Sequence, residues 1–251
     1  MSLFSNLIDD TVLLDPDPVP VEAALTRHRH LLAGSAADAL ATLVVEDRTL
    51  AAIDRAAAAT TDPPIPVTVI NTGGAGGLTA LAGRSMHQLA ISAVDTTLRD
   101  PGDLLGNVAR VVAAARELDP DIAVHVEIPY GFGWQDAVAE VEAAGLQGLI
   151  RMSAPARQVA EQLSAFVEAD LGFVADRLPG GRLTGLLLAL DALIDGSAVG
   201  EAAGLLAADD HDHADTTRSW GEPQVARIRR RLQRVRTAQP ELLLERLQHR
   251  S

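Results

Sequence analysis

The chain contains no cysteine and, read residue by residue, no lysine, so all 21 of its basic residues are arginine. The first absence excludes thiol nucleophiles, disulfides and thiolate-ligated zinc. The second excludes Schiff-base chemistry on a lysine, pyridoxal attachment and the P-loop lysine. Aromatic residues are scarce too, at 3% of 251. The core must therefore be aliphatic, and each aromatic becomes informative by its position. The most apolar helical stretch, LTGLLLALDALI (Leu183–Ile194), is too short to span a membrane and carries Asp191. The opening MSLFSNLIDD lacks a basic patch followed by an apolar run, so no signal peptide is expected and the protein reads as cytoplasmic.

What is present is acidic and core-forming. With 34 acidic residues the formal net charge is −13, which repels nucleic-acid phosphates and argues against a DNA or RNA partner. A hydrophobic fraction of 47% supplies a full core, and 251 residues fit one α/β domain. Short β-branched runs alternate with Ala-rich amphipathic stretches. Six such units can be followed, their strands at ATLVVE (Ala41–Glu46), PVTVINT (Pro66–Thr72), HQLAISAVD (His87–Asp95), AVHVEIP (Ala123–Pro129), GLIRMS (Gly148–Ser153) and LGFVADRL (Leu171–Leu178).

No hairpin signal interrupts them, so the pattern predicts a parallel sheet covered by helices: a TIM-like (β/α) barrel, whether complete or incomplete and distorted, with a doubly wound sheet as the alternative. A seventh element is possible near Thr216–Trp220. Residues 1–38 read as a helical lead-in, its small first helix joined by the proline-set linker Asp15–Pro20, and 39–222 as the βα body. The loop Ala207–Asp215 is polar. Residues 223–251 read as Arg-rich helices; Gln224–Arg236 places Arg227, Arg230, Arg231 and Arg234 on one side, a face for the acidic body or for a homo-oligomer contact.

In either architecture a ligand binds where strands end. The residues there are Asp47, Asn71, Asp95, Glu127, Arg151, and Asp176 with Arg177. Alternation in AVHVEIP puts His125 and Glu127 on the face opposite Val124, Val126 and Ile128, where charged groups need partners or a function. Glu127 is the candidate general base, with a pKa tuned towards neutrality, and Asp95 or Asp176 the auxiliary carboxylate. Arg151 is the candidate anion clamp, with Asn71 and Arg177 beside it. The competing reading is a purely structural Glu127–Arg151 ion pair. YGFGW (Tyr130–Trp134) holds three of the seven aromatics, so Tyr130, Phe132 and Trp134 are expected to wall the pocket.

Other motifs carry less. TGGAGGLT (Thr72–Thr79) resembles the glycine turn of short-chain dehydrogenases, with Asp95 placed for a ribose, but Thr79 replaces the last glycine and the catalytic lysine is missing. His28–His30 and His211–His213 lack the framework of a metal site, so no metal is expected. No cofactor is implied.

LIDDTVLLDPDPVPVEAALTRHR, ATLVVE, VEIPYG, LIRMS and RSWGEP together resemble an uncharacterised, mostly actinobacterial family. That family has an LIDDAGLFPP-type opening and V-E-x-P-x-G and K-L-R-T-G-G strand ends. The resemblance covers nearly the whole chain and implies a barrel-like body with Glu127 and Arg151 at the site. Departures are marked: Met152-Ser153-Ala154 stands where the family has T-G-G, GFVADRLPG stands in place of its lysine and paired histidines, and its late cysteine has no counterpart. The expectation is a lyase or isomerase acting on a small anionic metabolite, a carboxylate or phosphate. The alternatives are a non-catalytic binding or assembly protein derived from such an enzyme, and an NAD(P)-dependent oxidoreductase.

Overall fold

The computed structural model describes residues 3–14, 19–35, 37–58, 63–179, 182–208 and 220–248. Eight parallel strands close into a barrel in sequence order: β1 (Ile8–Asp10), β2 (Leu40–Glu46), β3 (Ile65–Ile70), β4 (Leu89–Thr97), β5 (Ala123–Glu127), β6 (Gln147–Arg151), β7 (Phe173–Asp176) and β8 (Leu232–Thr237). Closure is made by β1, which pairs with β2 through Ile8↔Leu40 and with β8 through Ile8↔Val235, Asp9↔Arg236 and Asp10↔Thr237.

The barrel is thus complete. The TIM-like reading holds, with register irregularities in β1–β2, β3–β4 and β7–β8, and the doubly wound alternative is overturned by this pairing. The two strands that sequence reading missed are the first and the last. Residues 1–38 are not wholly helical, because β1 lies within them before α1 (Val21–Leu32). The C-terminal segment is not wholly helical either: α9 (Glu222–Arg231) ends at Arg231, and the chain goes on as β8. The seventh element expected near Thr216–Trp220 falls, up to residue 219, outside the described residues, as do most of the polar loop (209–215) and of the proline-set linker (15–18); Trp220 belongs to no strand or helix.

The remaining helices are α2 (Leu50–Ala57), α3 (Gly74–Ala82), α4 (Leu104–Ala115), α5 (Trp134–Ala143), α6 (Ala156–Glu168), α7 (Leu183–Ile194), α8 (Val199–Ala207) and α10 (Pro240–Gln248). Local chemistry explains their placement. Asp103 caps α4 by accepting from the Gly106 amide at 3.0 Å, and Leu104, Val108, Val111 and Ala114 turn one face of it to the sheet. Helix α7 is apolar nearly all round and is covered by α8, with α6 and α9 also packed against it. Among the described residues no helix is long and apolar enough to cross a membrane. Arginines of α9 bind this chain's own acids, Arg227 on Asp191 and Asp195, Arg230 and Arg231 on Asp170. The face expected to meet the acidic body does so.

The aliphatic core sits between strands and helices, with Phe166 and Phe173 in edge contact at 5.9 Å. Gly148 of β6 faces this contact, and a Cβ there would run into the Phe166 ring. Both side chains are buried, so the ring cannot swing clear. Gly148→Ala should destabilise the fold by about 1–3 kcal/mol in urea denaturation. Adding Phe166→Leu should recover part of that loss. Additive losses in the double variant would refute the steric account.

Candidate active site

All eight strands lead into one cavity of about 840 Å³ at the C-terminal mouth of the barrel. Its wall includes the last residues of seven strands: Glu46, Ile70, Thr97, Glu127, Arg151, Asp176 and Thr237. Thr11, one residue past β1, completes the ring. Such convergence follows from a parallel barrel, in which every strand ends on the same rim.

Below the mouth the interior is polar rather than aliphatic. Arg236 of β8 is almost wholly buried, at 1% exposure. Its Nη1 and Nη2 both donate to Asp95, the second at 2.9 Å, and Nε donates to Asp9 at 3.3 Å. His125 Nδ1 lies 2.8 Å from Asp95 Oδ1, and Asp9 accepts from Thr42 Oγ1 at 2.8 Å. Thr42 meets Thr68 at 2.8 Å. A second, small cavity of about 70 Å³, bordered by Thr42, Thr68, His125 and Arg234, lies beneath this network.

Burial alone would push the Asp95 carboxyl up, but Arg236 and His125 together override it and hold it at about 2. Asp95 is therefore an ionised partner of Arg236 and forms the floor of the site. Arg236 itself is held above its ordinary value, burial being outweighed by Asp95 and Asp9.

Glu127 is engaged on both oxygens. Arg151 donates to it through Nε and, at 2.8 Å, through Nη2, while Thr97 Oγ1 donates at 2.7 Å. Burial opposes ionisation here too, yet the hydrogen bonds from Arg151 and Thr97 hold the carboxyl below its ordinary value. The expectation of a Glu127 tuned towards neutrality is corrected: the ion pair wins over desolvation. The pair is not sealed in the core, since the Arg151 side chain is 45% exposed.

Asp176 differs. Among the described residues its carboxylate accepts no hydrogen bond, and it lies 3.8 Å from Arg177 Nε and 4.0 Å from Arg236 Nη1. Burial pushes this carboxyl above its ordinary value against the pull of Arg236. Arg177, with φ of 54°, turns the chain sharply out of β7 and onto the cavity wall.

Asn71 also borders the cavity, but its carboxamide is engaged: Oδ1 accepts from the Gly73 amide at 2.9 Å and Nδ2 donates to the Gly74 carbonyl at 2.7 Å. A Cβ at Gly77 would run into Asn71, which accounts for a glycine in TGGAGG by packing. Asp47 ties the same turn by accepting from the Thr72 amide and hydroxyl, both at 2.7 Å.

YGFGW does not wall the cavity. Trp134 is buried in the core at the start of α5 and packs at 5.3 Å against Tyr130, whose hydroxyl donates to Glu161. Phe132 is 100% exposed. Gly133, at φ 72°, makes the turn that the glycine spacing anticipated, but that turn aims the rings at α5 and solvent. His28 is buried against Asp10, with Nδ1 3.1 Å from Oδ2. Among the described residues no group of three His, Asp or Glu side chains is arranged to hold a metal ion; His211–His213 lies outside them.

Sequence reading missed Glu46 and Arg48, an exposed pair on the rim, and above all Arg236 and Asp9. A signal for Arg236 existed in RVRT (Arg234–Thr237), where Val235 alternates between two arginines with period two. Compared with known proteins, the chain matches no family model, and no curated protein is significantly similar to it.

The two buried carboxylates differ in a way that denaturation can read. Arg236→Met leaves Asp95 without its arginine and Asp9 with only Arg234 at 3.7 Å, and should cost about 3–5 kcal/mol. Asp95, held below its unfolded value, contributes stability that is full above about pH 4 and lost as pH falls towards 2. Asp176, held above its unfolded value, has the opposite sign: its contribution is full at low pH and lost as pH rises through its folded pKa. Asp176→Asn should leave the melting temperature at neutral pH unchanged or raise it. A marked fall would show that Asp176 is a structural group.

Proposed function

We propose that this protein is an enzyme of lyase or isomerase type that takes a small anionic metabolite into the mouth of the barrel, with Arg151 as the anion clamp and Asp176 as the proton-transferring carboxylate. The observation that carries the reading is Asp176: it lines the cavity, is largely buried, and its carboxylate accepts no hydrogen bond among the described residues. A carboxyl poised above its ordinary value serves better as acid or base near neutrality than one held fully ionised.

Glu127 then acts through Arg151. Its two oxygens fix Nε and Nη2, leaving Nη1 as the edge of the fork without an internal hydrogen bond among the described residues. A guanidinium so oriented meets a carboxylate or phosphate at little further cost in side-chain freedom. The resemblance to the actinobacterial family supports the same pair of positions. The oxidoreductase alternative has less support, because the Gly73 amide that would face a pyrophosphate is already bonded to Asn71.

Proton exchange on the substrate tests the reading whichever product forms. A panel of carboxylate and phosphorylated metabolites is screened for a rise in melting temperature, and each protecting compound is incubated with the protein in D₂O and followed by proton NMR. Exchange at a carbon near the anionic group is expected with wild type and should fall by about 100-fold or more in Asp176→Asn. Arg151→Met should lose the protection. If no anion protects wild type, or Arg151→Met is protected equally, the reading is wrong.

A further inference from the structure

Arg151 and Asp176 are register partners on neighbouring strands, with backbones about 4.8 Å apart. Their opposite charges border the same cavity. No ion pair joins them among the described residues, because Arg151 turns to Glu127 on its other side. Two complementary groups thus stand side by side, each with hydrogen-bonding capacity unused. Arg151 offers Nη1, and Asp176 offers both oxygens.

A ligand matched to this pair presents an anion to Arg151 and, on an adjacent atom, a donor to Asp176. The donor is either a hydroxyl or an ammonium. The surrounding charge decides between them. Arg177 and Arg236 lie within 4.0 Å of the Asp176 carboxylate, and Arg151 stands on the next strand. An ammonium placed on Asp176 would meet the guanidinium of Arg177, which among the described residues faces no carboxylate but Asp176, whereas Arg236 and Arg151 are already paired with Asp95, Asp9 and Glu127. A hydroxyl meets no such opposition and forms a charge-assisted hydrogen bond to the carboxylate. A phosphate is the third possibility, and it is opposed differently: near neutral pH it brings close to two negative charges beside the Asp176 carboxylate, where a carboxylate ligand brings one.

We infer that the ligand is a 2-hydroxy carboxylate, its carboxylate on Nη1 of Arg151 and its hydroxyl donating to Asp176. The inference rests on the anion-binding reading above and adds the second functional group. It also gives Glu127 a positioning role, since releasing Arg151 from Glu127 would let it close on Asp176 instead.

Calorimetric titration of the full chain at neutral pH with lactate, propionate and alanine compares a hydroxyl, a hydrogen and an ammonium on one skeleton. Malate, succinate and aspartate repeat the comparison on a longer one, and inorganic phosphate is the separate control. The 2-hydroxy acid of at least one series should bind about tenfold or more tightly than its two analogues. That preference should vanish in Asp176→Ala, which removes a largely buried carboxylate that accepts no hydrogen bond among the described residues and is expected to fold. Deoxy or amino analogues binding as tightly as the hydroxy acids, or phosphate binding most tightly, would overturn the hydroxy-acid assignment while leaving the anion site standing. No binding by any of these anions would overturn both.

Discussion

Arg236 carries a guanidinium into the interior of the barrel, where a charge persists only if it is paired and hydrogen-bonded. Asp95 from β4 and Asp9 from β1 meet that requirement, and His125 from β5 backs Asp95. The same residue sits in the strand that closes the barrel, opposite Asp9 in the β1–β8 register. Closure and charge neutralisation are therefore one event: if β8 fails to dock, Asp9 and Asp95 are left buried without a cation. The interaction also shapes the site above it. It makes the floor polar, fixes Asp95 as an ion, and places a positive charge 4.0 Å below Asp176.

On that floor the remaining charged groups divide by how fully they are satisfied. Glu127 has Arg151 and Thr97, and its low pKa states the outcome. The Asp176 carboxylate has cations in range but accepts no hydrogen bond among the described residues, so desolvation dominates. The ends of β5 and β7, on either side of β6, thus carry carboxylates with opposite shifts. The aliphatic core plays no direct part in this difference. It holds the rim rigid, as the close packing of Gly148 on Phe166 illustrates.

Glu127, Arg151, Asp95, Asp176, Asn71 and Arg177 all reach the cavity wall, and each was visible as a polar residue ending a β-branched run. Their roles were less legible. Whether Glu127 or Asp176 has the raised pKa depends on which of them Arg151 faces, a choice made across strands. YGFGW misled for a related reason: glycine spacing shows that a turn occurs, whereas the direction of its rings depends on what α5 and Glu161 offer them. Strand β8 was hidden by coincidence. Val225, Ile228, Leu232 and Val235 fall at helical spacing, and four arginines on one side read as the polar face of one long helix.

The sequence by itself determined the alternation of strands and helices, the parallel sheet, and the gathering of polar residues at the strand ends. Each of these rests on periodicity and composition within some thirty residues, the range over which a βα unit is specified. Only the tertiary structure decided that the barrel closes, that Arg236 lies inside it, and that the Asp176 carboxylate rather than the Glu127 carboxylate is left without a hydrogen-bond partner among the described residues. Those outcomes depend on residues 9, 95, 151, 176 and 236 meeting in space. Electrostatic pairing and desolvation act through distance in the folded chain, and no local pattern encodes them.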